Sequence, residues 1–185
     1  MHASLPHPIC RRCIIPQPNS PPVYADDTSL FDLGTPELFI VTVLRLWAVG
    51  RGDPIRPTDW PSAFRAAGVE QRGASAFGSL MRVVAGAARR PLDIRARQCR
   101  GLGRDEGMLL RLISLMQRDR MVEASAILAD WLPPAAVRLV TRDTRTVAAA
   151  FAQADLVVPL RHAEAASWSR LAACAHATPG LALLQ

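Results

Sequence analysis

Lysine is absent from this chain, and all 22 of its basic side chains are arginine. Such a wholesale exchange of one cation for the other, beside abundant alanine and 15 prolines, is the mark of GC-rich coding. A lone arginine therefore says little; only local clustering carries information. Aromatic residues are scarce as well, at 5%. The core must then come from closely approaching helices rather than broad aromatic layers. No apolar run reaches the roughly 20 residues that a bilayer span requires. The longest, Leu38 to Val49, is interrupted by Arg45. The first thirty residues hold no apolar stretch of the signal-peptide kind. These absences lead to the expectation of a soluble, cytoplasmic protein with no membrane partner and reduced cysteines.

Catalytic signatures are missing too. There is no GxSxG elbow, no HExxH and no P-loop. Cys174 and His176 are two residues apart on an expected helix and so point in different directions. Neither a catalytic residue nor a cofactor is expected on this evidence.

What is present is helical patterning. Residues 1–34 are rich in proline and lack periodicity, which reads as a disordered tail. Residues 35–185 read as a single helical domain, an all-α bundle of six to seven helices with at most a short strand or wing near 92–97. Thr35-Pro36-Glu37 is a strong helix start. The helix that follows, to about Val49, is apolar on all sides and so is expected in the middle of the bundle. A short helix opens at Thr58 or Asp59 and ends at Gly68. Ser75 caps a third helix with Phe77, Leu80, Met81 and Val84 on one face. Leu92 to Arg97 alternates apolar and charged residues, the pattern of a short exposed strand. Two further helices form a hairpin from Arg104 to Leu132, expected at the centre of the fold with Leu112 and Trp131 buried. Two broken helical stretches fill Ala135 to Ala154, Leu156 to Leu160 is extended, and a last helix packs through Trp168, Leu171, Ala172 and Ala175.

Two small motifs invite chemical readings. Cys10-Arg11-Arg12-Cys13, with His2 and His7 upstream, could supply zinc ligands. The second ligand pair would precede the motif without a folded element between, so no structural metal site is expected, and a small zinc-binding protein stands as a further alternative only. Gly101-Leu102-Gly103-Arg104-Asp105-Glu106-Gly107 resembles a phosphate-binding glycine loop. Glu106 stands where the third glycine belongs, however. Asp105 and Glu106 occupy the positive end of the helix dipole that a phosphate would need.

Charge is the remaining signal. Residues 1–81 hold seven arginines and seven acids, and residues 105–185 hold eight of each. Between them Arg82, Arg89, Arg90, Arg95, Arg97, Arg100 and Arg104 face the single Asp93. The formal +6 of the protein thus sits in one segment. A local cationic patch attracts phosphates or acidic proteins. The sequence therefore reads as a non-enzymatic interaction or regulatory module. Its partner, protein or nucleic acid, is met through those seven arginines.

The order of elements, helix, short helix, glycine turn, third helix and alternating basic strand, resembles the winged helix-turn-helix architecture of small bacterial repressors over residues 36–107. That resemblance implies DNA binding, with Ser75 to Ala88 as the recognition helix and Arg89 to Arg104 as the wing. Asp93 and Arg95 would form the Asp-x-Arg often carried by such wings. It also implies dimerisation through the later helices.

Overall fold

The computed structural model describes residues 24–25, 28–52 and 59–161, and these form an all-helical bundle. Six α-helices follow one another: α1 (Thr35–Gly52), α2 (Trp60–Ala66), α3 (Gln71–Ala87), α4 (Arg104–Met116), α5 (Met121–Trp131) and α6 (Pro134–Gln153). A 3-10 turn at Leu30–Asp32 precedes them. No β-strand forms among the described residues. Residues 92–97 run irregularly, and the nearest approach to pairing is an isolated bridge between Ser29 and Gly101.

The helix boundaries follow from local chemistry. Glu37, in the first turn of α1, reaches back to accept the Gly34 N–H at 2.7 Å. Asp59 caps α2 by accepting the Ser62 N–H at 3.2 Å. That helix closes on Gly68, whose φ of +73° suits glycine. There the Val69 N–H bonds the Phe64 carbonyl at 2.9 Å and the Gly68 N–H bonds that of Arg65 at 3.0 Å.

Three elements depart from the sequence reading. Helix α3 begins at Gln71, a turn before Ser75, although Glu70 offers no side-chain cap. Packing draws it out: a Cβ on Gly73 would lie 2.5 Å from that of Ala150, so the glycine marks a close helix crossing rather than a loop. Residues 135–153 form one helix, not two. Val140, Thr144, Val147, Ala148 and Phe151 make a continuous buried stripe there. The hydroxyl of Thr144 is satisfied by donating to the Val140 carbonyl at 2.8 Å. Finally, the middle of the bundle belongs to α4 rather than α1. Leu109, Leu110, Leu112, Ile113 and Leu115 of α4 are all essentially inaccessible, whereas α1 leaves Leu38 and Val49 about two-fifths exposed.

Helix α4 packs against α1, α5 and α6, while α3 and α6 share the broadest helix contact. The hairpin α4–α5 does lie at the centre, with both Leu112 and Trp131 buried. Five of the ten aromatic residues meet in one cluster. The ring of Phe64 lies within 5.3–5.9 Å of Phe77, Phe151, Trp60 and Phe39.

Tyr24 and residues 28–34, placed in the tail by their position before Thr35, touch this body. Tyr24 is buried and donates to Glu37 Oε1 at 2.7 Å. The Cys10–Cys13 motif, and the last helix expected around Trp168, lie outside the described residues.

Candidate functional site

The +6 segment falls on the end of α3 and on the long connection to α4, residues 88–103. A connection of that length without regular structure is uncommon in a small domain, and it is usually functional or mobile. This one is tied down from inside. Arg45, the residue that interrupts the apolar run of α1, is itself buried. Its guanidinium donates to the carbonyls of Cys99 at 2.6 Å, Gly101 at 2.8 Å and Ala96 at 3.3 Å. It also forms a two-pronged pair with Glu106, at 2.7 Å from both Nε and Nη2. Glu106 in turn accepts the backbone N–H groups of Gly103 at 2.7 Å and Arg95 at 3.1 Å. One buried ion pair therefore fixes five backbone groups of the connection.

A second pair fixes its beginning. Asp105 is buried and accepts both terminal nitrogens of Arg90 at 2.8 Å, the Trp131 indole N–H at 2.8 Å and the Asp93 N–H at 2.7 Å. Arg90 also reaches Asp130 at 2.8 Å. Burial alone would push the Asp105 carboxyl up. The Arg90 guanidinium and the donated N–H groups outweigh it and hold the carboxyl below its ordinary range. The two carboxylates push Arg90 up in turn, Asp105 most strongly and Asp130 next, against the opposing effect of burial. Hydrogen bonding to Glu106 likewise raises Arg45 against the opposing effect of burial. Asp93 completes the frame by accepting the Arg104 N–H at the start of α4, at 2.9 Å.

The seven sequence-predicted arginines thus separate. Arg90 is spent inside the fold. Arg95 is exposed and pairs with Asp93 at 3.0 Å. Arg97 stands at the tip of a turn closed by the Cys99 N–H on the Ala96 carbonyl, at 2.9 Å. Arg100 lies over the Phe31 ring, 5.8 Å from its centre, and Arg104 is exposed in the first turn of α4. Arg82 bonds only Ser79, one turn back on α3, and Arg89 is exposed. Among the described residues, Arg82, Arg89, Arg97, Arg100 and Arg104 have no carboxylate partner.

Close packing accounts for two of the three glycines that resemble a phosphate loop. A Cβ on Gly103 would collide with the Asp93 carbonyl, and one on Gly107 would sit 3.0 Å from the Tyr24 ring. Asp105 and Glu106 face arginines there, not a ligand. No group of three or more His, Cys, Asp or Glu residues that could hold a metal occurs among the described residues. No helix among them is long and apolar enough to cross a membrane.

The wing implied by the winged-helix resemblance has no strand to build on. Helix α3 buries Gly73, Ala74, Ala76, Phe77, Gly78, Leu80, Met81 and Val84, leaving Gln71 and Arg72 outside in its first turn and, beyond them, small side chains and Arg82. Sequence reasoning missed Arg45, Asp105 and Glu106 as the frame of the site. The available signal was one arginine in an otherwise apolar helix together with two adjacent acids opening another. The chain matches no protein family, no curated protein and no solved structure.

Proposed function

We infer that this protein is a helical interaction module whose 88–103 connection meets an anionic partner through Arg95, Arg97 and Arg100, joined by Arg104 at the start of α4. What supports the reading is the buried Arg45–Glu106 pair. An arginine-rich stretch inherited from coding bias would need no internal frame. Here a buried guanidinium and two buried carboxylates hold the backbone while the loop arginines stay outside. Fixing the backbone beforehand reduces the entropy lost on binding, and guanidinium groups suit carboxylate and phosphate alike. Arg90 serves as an internal tie rather than a contact.

The test is titration of the full chain with duplex DNA, single-stranded RNA and polyglutamate at several salt concentrations. Binding to at least one should weaken with salt, by about 0.9 in log K per log salt for each phosphate met on duplex DNA and about 0.7 on a single strand. Replacing Arg97 and Arg100 together with alanine should flatten that slope by about two, and Arg95→Ala should do less because Asp93 already occupies it. Failure of all three polyanions to bind at low salt would sink the proposal.

A further inference from the structure

Along one face of α3, next to the arginine connection, runs a groove. One end is a cavity of about 540 Å³ between Trp47, Ala85, Ala88, Arg89, Leu92 and Ile94. The next cavity, about 590 Å³, shares Trp47 and continues past Arg82, Ser79, Gly78 and Ser75 towards Trp60. Ser75, Gly78, Arg82 and Ala85 recur at spacings of three and four, so they line a single face of α3, and Arg89 stands two residues past its end in the lining of the first cavity. From Gln71 to Ala85 that face is about 21 Å long at the helical rise of about 1.5 Å per residue, or roughly four turns.

The lining combines two properties. Its helical wall is made of small side chains, which let a second backbone come close, and Leu92 and Ile94 make the opposite wall apolar. Arg82 and Arg89 stand exposed on it, and neither has a carboxylate within ion-pair distance among the described residues. Their neighbours Arg90 and Arg95 both do.

We propose that this groove docks an acidic amphipathic helix of a partner protein, apolar side chains against its walls and carboxylates against Arg82 and Arg89. The proposal rests on the anionic-partner reading and narrows it to protein. Phosphates would match the two guanidinium groups but leave the apolar walls without a counterpart. Trp47 is 7% exposed, and the Trp60 ring is engaged by Phe64, Phe77 and Gly78, which leaves little face for an unpaired base to stack on. A helix carrying apolar residues at i, i+3, i+4 and i+7 with flanking acids satisfies both properties at once.

A random library of peptides about 16 residues long, some four helical turns, displayed against the full chain tests this. Enriched peptides should show that apolar spacing with aspartate or glutamate beside it. Ala85→Trp and, separately, Ser75→Trp place bulk in the groove at exposed positions without altering charge. With unchanged melting temperature, each should weaken the enriched peptides by about tenfold or more. Joint replacement of Arg82 and Arg89 by glutamate should do the same. No enrichment, enrichment of non-acidic peptides, or affinity unchanged from the parent in both tryptophan variants would overturn the proposal. So would duplex DNA whose binding is lost in Ala85→Trp, because nucleic acid would then occupy the groove. The loop reading fails separately, through unchanged polyanion affinity when Arg97 and Arg100 are replaced by alanine.

Discussion

The contact between α3 and α6 and the junction of α1, α4 and the 88–103 connection are both buried, yet they are held by opposite means. In the first, small residues bring two backbones together: a Cβ on Gly73 would meet that of Ala150, and the contact between the two helices is the broadest in the bundle. Dispersion and the removal of apolar surface from water hold it, neither of which is directional. In the second, guanidinium groups and carboxylates replace much of the apolar packing. Such pairs cost desolvation, and a well-packed apolar substitute is often as stable. They nevertheless specify where a backbone lies, since each hydrogen bond has a direction and a partner. The helices need only be packed. An irregular connection that presents arginines has to be placed.

The largest difference between the two regions should come from breaking the polar one on one side only. Arg45→Ala leaves Glu106 buried without its cation and three carbonyls without a donor. Denaturant unfolding should register a loss of about 3–5 kcal/mol. Leu112→Ala, in the apolar centre, should cost about 2–5 kcal/mol by the same measurement, at the lower end if neighbouring side chains close the cavity. A loss below about half a kcal/mol would mean that Leu112 is not packed as described.

Acid should separate the regions further. The Asp105 carboxyl is held below its ordinary value in the folded state, so the folded protein binds its proton less readily than the unfolded chain does. Its stabilisation is present above the unfolded value near 4 and is lost as pH falls through the folded value. Glu37 behaves alike: burial opposes, but Arg161, Tyr24 and the Gly34 N–H hold it down. Stability should therefore decline on acidification below about pH 4, and Asp105→Asn should decline less steeply than the parent. An identical acid slope would remove Asp105 from the account. The smallest stability effect belongs to Arg97→Ala, a surface change expected to move the unfolding free energy by less than about half a kcal/mol while still weakening polyanion binding.

Legibility from sequence divides along the same line as the two regions. Periodic apolar residues made α4 and α5 readable, because burial of Leu112 and Trp131 follows from their spacing alone. The start of α1 was equally plain from Thr35-Pro36-Glu37. Helix α3 was read a turn short because a glycine in a first turn ordinarily weakens a helix, and only Ala150 across the interface reverses that meaning. Helix α6, expected as two stretches, runs unbroken through Thr141, Thr144 and Thr146, whose hydroxyls bond back to the preceding turn. At the candidate site the positive charge was legible and its division was not. Nothing local distinguishes Arg90 from Arg89, and the acids that settle the matter, Asp105 and Asp130, lie 15 and 40 residues away. The same separation hid Arg45, whose partner is 61 residues distant.

The central claim is that an internal frame, and not charge alone, makes the connection a binding surface. Joint replacement of Arg45 by methionine and Glu106 by leucine tests it most directly. Both side chains are buried, the net charge is unchanged, and apolar substitutes for a buried pair commonly preserve the fold. Every exposed arginine of the segment is kept. The measurement is the affinity of this double variant for the tightest-binding polyanion, at the ionic strength used for the parent protein. The account predicts a fall of about tenfold or more while the helical bundle still forms, as read by circular dichroism; equal affinity would contradict it and leave the arginines as a simple cloud of charge.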